Sequence, residues 1–179
     1  VYRRGICEWD DASNQFQQVA EYDADVPLFP NGQALVHGEG DERHVYFATP
    51  FPLVRTRATA ESYKDQATYE AFTCLKTGTT LEHPEIDRDE SGRPRYAWRN
   101  DTPPLDPTQQ ARLVREGHLQ PHEALLQLRD VATGKEVLGH AGSVYWNDYR
   151  KRFVMIACQL YGTSLVGETW YAEAESPIG

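Results

Sequence analysis

The sequence is poor in the features that announce common chemistries. Its 179 residues carry no metal-ligand spacing, no serine nucleophile elbow and no phosphate-binding loop, and nothing in it calls for a cofactor. Three cysteines, Cys7, Cys74 and Cys158, are spaced too widely to make a chelating pair, and any disulfide would leave one thiol over. Each is therefore expected as a small buried apolar residue within a strand. No stretch approaches the roughly 18–20 apolar residues of a membrane span, and the start has no signal-peptide pattern. Basic residues are scattered, with 18 Lys and Arg against 27 Asp and Glu and a net charge of −9. Neutralising phosphates takes a concentrated basic face, so nucleic acid is not an expected partner; neutral or cationic ligands suit the charge better.

What is present is a globular composition, 40% apolar and 11% aromatic, arranged in short strands. Residues 4–23 read as a strand, a polar turn at Asp10 to Asn14, and a second strand with Phe16 and Val19 inward. Val26 to Gly32 is punctuated by Pro and Gly as a linker. Residues 33–78 then read as a four-stranded antiparallel meander: Ala34–His37, His44–Thr49, Leu53–Arg57 and Tyr69–Leu75. Residues 140–179 contain three more strands, Ser143–Trp146, Phe153–Gln159 and Glu168–Ala174, joined by an Asn-Asp turn and a Gly-Thr-Ser loop.

Between them, 79–139 is an insertion. Glu82 to Pro107 carries five prolines and many charges and reads as an irregular surface excursion. Asp106 as N-cap with Pro107 behind it starts a helix that Gly117 ends, Pro121 to Leu128 repeats the device, and a hairpin follows around Ala132-Thr133-Gly134. A long structured excursion of this kind usually covers the face where ligands bind.

Two meanders in series suggest a repeat, as in the blades of a β-propeller; a β-sandwich is the alternative for short, turn-separated strands. The stretch Ser143-Val144-Tyr145-Trp146-Asn147-Asp148-Tyr149-Arg150-Lys151-Arg152-Phe153-Val154-Met155-Ile156, followed by Glu168-Thr169-Trp170-Tyr171-Ala172-Glu173-Ala174-Glu175-Ser176-Pro177-Ile178-Gly179, resembles one blade of the five-bladed propeller enzymes of glycoside hydrolase family 43 and its relatives. The resemblance covers about 37 residues, with a looser echo in 33–78. It implies an all-β fold, a partial five-bladed propeller of about two four-stranded blades with a helical insertion. Residues 1–78 would then hold the end of one blade and a full blade, and 140–179 the first three strands of the next. It further implies a carbohydrate substrate, glycosidic-bond hydrolysis by carboxylates around a central cavity, and an extracellular or periplasmic setting. The chain starts at Val1 and stops at Gly179 just after a strand, so it is expected to be a piece of a longer chain that supplies the missing blades. The Asp-Pro that bears the catalytic base in those enzymes has no clear copy here. Binding of carbohydrate without cleavage is the alternative function.

In such a meander the start of strand one, the end of strand two and the start of strand three share one end of the sheet. That collects His140, Ser143, Gln159, Tyr161 and Glu168 from the later unit, and Asn31, Gln33, Thr49 and Arg55 from the earlier one. Glu168, after Gly167 and before an apolar strand, is the candidate acid if partial desolvation raises its pKa; otherwise it is a solvated or Arg-paired strand end. Hydrolysis needs a second carboxyl roughly 5–9.5 Å away, from Glu39, Asp41 or a missing blade. His140 either modulates a carboxylate or hydrogen-bonds backbone. Arg55 either clamps a carboxylate on the substrate or lies on a solvated strand face. Trp98, in the irregular insertion, is the best candidate for stacking on a sugar ring, whereas Trp146 and Trp170 suit packing between blades.

Overall fold

The computed structural model describes residues 3–47, 50–164 and 167–179. It is an all-β architecture of antiparallel layers with one well-formed helix. The first layer is a hairpin of β1 (Arg4–Asp10) and β2 (Gln15–Tyr22). The second is a five-stranded meander of β3 (Leu35–His37), β4 (His44–Phe47), β5 (Val54–Arg57), β6 (Glu70–Thr73) and β7 (Ala97–Arg99), in sequence order. A short helix α1 (Ala60–Lys64) joins β5 to β6, capped by the Thr59 side chain. Helix α2 (Pro107–Arg115) and a small hairpin of β8 (Leu128–Arg129) and β9 (Glu136–Val137) complete the insertion. The third layer holds β10 (Gly139–Asn147), β11 (Arg152–Gln159) and β12 (Thr169–Ala174).

Period-two alternation gives the middle sheet two buried faces. On one, Val45, Phe47, Val54 and Ala71 pack with Tyr22, Leu28 and Tyr69, and the partly buried Ile6 and Ala20 of the hairpin close over them. On the other, Leu35 and Tyr46 meet Val144 and Phe153 of the third layer, with Trp98 and Met155 alongside. The layers therefore stack face on face in chain order. A third cluster, Cys74, Leu75, Leu105, Leu113 and Leu119, fastens the insertion to the end of β6.

One turn recurs in the first and third layers. Trp9 pairs with Phe16 and Trp146 with Phe153, each next to the closing pair, Asp10 with Gln15 and Asn147 with Arg152, which leaves four residues in the loop. The middle sheet closes differently, on His37 and His44 with six residues between them. The two copies agree closely. Trp9 and Trp146 donate their indole N–H to Asp11 and Asp148 at 3.0 and 3.1 Å. Both face their phenylalanine at 5.1 Å in edge geometry, and Asn14 and Lys151 both take left-handed φ, 54° and 52°.

Several expectations change. Trp98 is not in an irregular excursion: it sits in β7, the fifth strand of the middle sheet, and Leu75 to Ile86 and Arg88 to Pro94 make further isolated bridges. Asp87 ties this segment down by accepting from Arg95 at 2.9 Å and from Arg99, contacts that hold its carboxyl below the usual range. Pro121 starts only a single 3-10 turn, Pro121–Glu123, because the chain then turns so that the Leu126 N–H reaches the buried Gln110 side chain at 3.2 Å. Phe16 and Val19 are exposed rather than inward: Phe16 lies at the turn end beyond the packed part of the hairpin, and a bulge opposite Ile6 and Cys7 leaves Val19 without a partner. Cys74 is buried as expected, Cys158 is half-buried, and Cys7 is exposed on the open side of the hairpin. Thr49 lies outside the described residues.

Candidate functional site

The starting point is the end of the third layer where β10 begins and β11 finishes. Pairing there is irregular: Gly139 faces Gln159 and Ala141 faces Cys158, so His140 is the extra residue of a β-bulge. A bulge of this kind turns a side chain out of the ladder and is common beside functional sites. His140 is exposed and lines a cleft of about 320 Å³ with Asn31, Phe29, Phe51, Asp106 and Gln109.

Helix α2 forms the neighbouring wall. Asp106 caps it by accepting from the Gln109 N–H at 2.8 Å, and Gln109 returns a side-chain acceptor to the Asp106 N–H at 2.8 Å. Its face with Leu113 and Gln110 is buried in the insertion core. That anchoring turns Thr108, Gln109, Arg112 and Arg115 toward Gln159, Leu160 and Tyr161 across a second cleft of about 480 Å³. The two clefts meet at Thr108 and Gln109. Gln159 accepts from the Trp170 indole at 2.8 Å, which orients its amide nitrogen as the free donor. Tyr161 is 89% exposed and held at φ 58°, so its ring stands in solvent at the mouth of the cleft.

Glu168 adjoins this end through its backbone, whose carbonyl accepts from the Gln159 N–H at 2.8 Å. Its side chain turns away from both clefts and into its own loop. It accepts from the Thr163 hydroxyl, from the Thr163 N–H at 2.7 Å and from the Ser164 N–H at 3.1 Å. These donors, the Thr163 hydroxyl first, hold the Glu168 carboxyl below its usual range rather than raising it as desolvation was expected to do. The sign of the pH effect follows. A depressed carboxylate contributes stability above the unfolded-state value, and the contribution is lost as pH falls through the folded value. Glu168→Gln is accordingly expected to destabilise the protein near neutrality and to flatten its loss of melting temperature on acidification; a wild-type and variant pair with parallel pH curves would contradict the assignment.

The partner carboxylates proposed for Glu168 lie at the other end. Glu39 and Asp41 sit in the turn beside His37, whose ring packs 4.7 Å from Phe153. Phe153 and Gln159 are six residues apart on β11, roughly 20 Å along a strand, well beyond the separation a glycosidase pair needs. Arg55 is likewise elsewhere. Val54 lines the His140 cleft, and its neighbour Arg55 necessarily points to the opposite face. There its Nε donates to Glu70 at 2.8 Å, and its guanidinium lies 4.3 Å from the Trp98 ring centre. Arg55 and Trp98 are thus in contact with each other, and the Trp98 face expected to receive a sugar is covered by the guanidinium. Ser143 is half-buried on the face of the third layer turned away from the middle sheet, and Gln33 is exposed just before β3.

The structure brings together His140, Gln159 and Tyr161, with Asn31 beside His140. The partners that sequence reasoning missed are Arg112 and Arg115 of α2 and Glu136 beside them, although the capping pattern of α2 was visible and its i, i+3 spacing puts both arginines on one side. The arrangement offers alternating donors and acceptors, an imidazole and one exposed aromatic ring. Among the described residues these clefts hold two carboxylates, Asp106 and Glu136, and Asp106 is engaged as the helix cap. No protein-family model, curated protein or solved structure matches the chain.

Proposed function

We propose that this chain is the carbohydrate-binding part of a five-bladed propeller of the glycoside hydrolase family 43 type, and that it binds through the paired clefts beside α2. The observation that carries the binding reading is the bulge-exposed His140 grouped with Gln159, Tyr161 and the arginines of α2, a set rich in hydroxyl-directed donors and acceptors. The propeller reading is supported by face-to-face stacking of sheets in chain order and by the recurrence of one closing turn in the first and third layers. Binding is favoured over hydrolysis because the Glu168 carboxyl is committed to its own loop and turned away from the clefts that hold Asp106 and Glu136.

Tyr161→Gly provides a clean test. Glycine relieves the left-handed backbone at that position, so stability is expected to hold or rise while the ring is lost. Affinity for the best oligosaccharide found on a glycan array is expected to fall by about threefold to tenfold, the value of one aromatic contact. Unchanged affinity would remove Tyr161 from the site, and release of reducing ends from the bound oligosaccharide would overturn binding without cleavage.

A further inference from the structure

A second polar pocket lies at the opposite end of the middle sheet, built by β4, β5 and β6 and sharing no lining residue with the clefts beside α2. It encloses about 390 Å³, and its walls include His44, Arg55, Arg57, Glu70 and Asn100. His44 is 7% exposed, unusually deep for an imidazole at a turn. Its Nδ1 lies 2.8 Å from the Glu42 carbonyl, and because a carbonyl only accepts, Nδ1 carries a proton and Nε2 is left for the pocket. Arg57 stands directly across the ladder from His44. Arg55 is locked between Glu70 and Trp98 through its Nε and its flat face, an arrangement that leaves the Nη edge as donor.

The pairing of its charges narrows what this pocket takes. Glu70 balances Arg55 at 2.8 Å, whereas Arg57 makes no ion pair among the described residues. Arg57 is exposed at the pocket rim across from the buried His44, so its fork is open to a negative oxygen brought by a ligand. Glu42 and Asn100 also line the pocket. Glu42 is exposed like Arg57, so solvent and salt screen both charges, and the Asn100 amide nitrogen is spent on the carbonyls of Ala67 and Tyr69. The fork of Arg57 and the edge of Arg55 match a planar two-oxygen anion.

We propose that this pocket binds a single carboxylate group, held by Arg57 with Arg55 in support, beside the His44 ring. The overall charge of −9 disfavours a polyanion on this protein, but one carboxylate paired with a single arginine fork is a different case. The site stands whether or not the clefts beside α2 bind carbohydrate.

The test is a titration of the ¹⁵N-labelled protein with D-glucuronate, acetate and the neutral D-glucose, following the Arg57 Nε–H and His44 ring resonances. Both acids are expected to move these signals, glucose is not, and raising the salt is expected to weaken the effect. Tighter binding of glucuronate than of acetate would assign the carboxylate to a sugar acid; equal binding would assign it to a simple organic acid. Arg57→Gln, an exposed change with no side-chain bond to lose among the described residues, is expected to cut acid affinity at least tenfold without moving the melting temperature. Equal shifts with glucose, no shift with either acid, or full affinity in Arg57→Gln would overturn the proposal.

Discussion

Leu113→Ala is expected to lower the unfolding free energy by about 3–4 kcal/mol, measured by denaturant melts, and to abolish ligand binding at the clefts beside α2. Leu113 is 1% exposed and lies at the centre of a cluster with Leu75, Leu105 and Leu119, each also at 1% or less. Removing its branched end leaves a cavity that α2 cannot collapse to fill, because the helix is held from both sides. Asp106 and Gln109 fix its first turn, and beyond its last turn Arg88 bonds both Glu123 oxygens and the His118 carbonyl. The same anchoring points Thr108, Gln109, Arg112 and Arg115 at Gln159 and Tyr161. Stability and binding are therefore expected to fail together. The exposed Arg115→Ala, which disturbs no packing, is expected to weaken binding and leave the melt where it was. A Leu113→Ala protein that binds normally would place the ligand elsewhere.

Helix α2 was legible in the sequence because its determinants are local: an Asp cap, a proline at the first position and a glycine stop. The hairpins were legible for the same reason, through Asx turns and alternating strands. Strand β7 was not, since Ala97, Trp98 and Arg99 sit in a proline-rich charged stretch and become a strand only by pairing with β6 and packing Trp98 against Arg55, Tyr46 and Phe72. Their strand character is a tertiary effect that no window of sequence contains.

The candidate site divides along the same line. That His140, Gln159 and Glu168 share one end of a sheet follows from antiparallel order alone, and the structure keeps it. Whether each side chain faces the cleft depends on register. The bulge that exposes His140 arises where Gly139 and Ala141 pair out of step, and the cross-strand position of Arg55 opposite Glu70 takes the arginine out of the predicted group. Glu168 shows the same limit in its electrostatics. Its loop holds Thr163 and Ser164, but that their N–H groups converge on the carboxylate is a matter of fold.

The recurring turn leads to the second large effect. Phe16 and Phe153 occupy matching places, each seven residues after a tryptophan and 5.1 Å from its ring. If the turn alone set their worth, removing either ring would cost the same. Burial says otherwise: Phe153 is 2% exposed and packs with Val144 of its own layer and with Leu35 and Tyr46 across the layer boundary, while Phe16 is 70% exposed. Phe153→Ala is expected to cost about 3–5 kcal/mol, because it opens a cavity between the middle and third layers and removes the edge contact to His37. Phe16→Ala, which loses only an exposed aromatic pair, is expected to cost about 1 kcal/mol or less. The comparison separates the turn as a folding device from the layer interface it serves. Equal losses would mean that the turn, and not the stacking of sheets, carries the stability. A Phe16 loss as large as that of Phe153 would further require the hairpin to be covered by something packed on its open side.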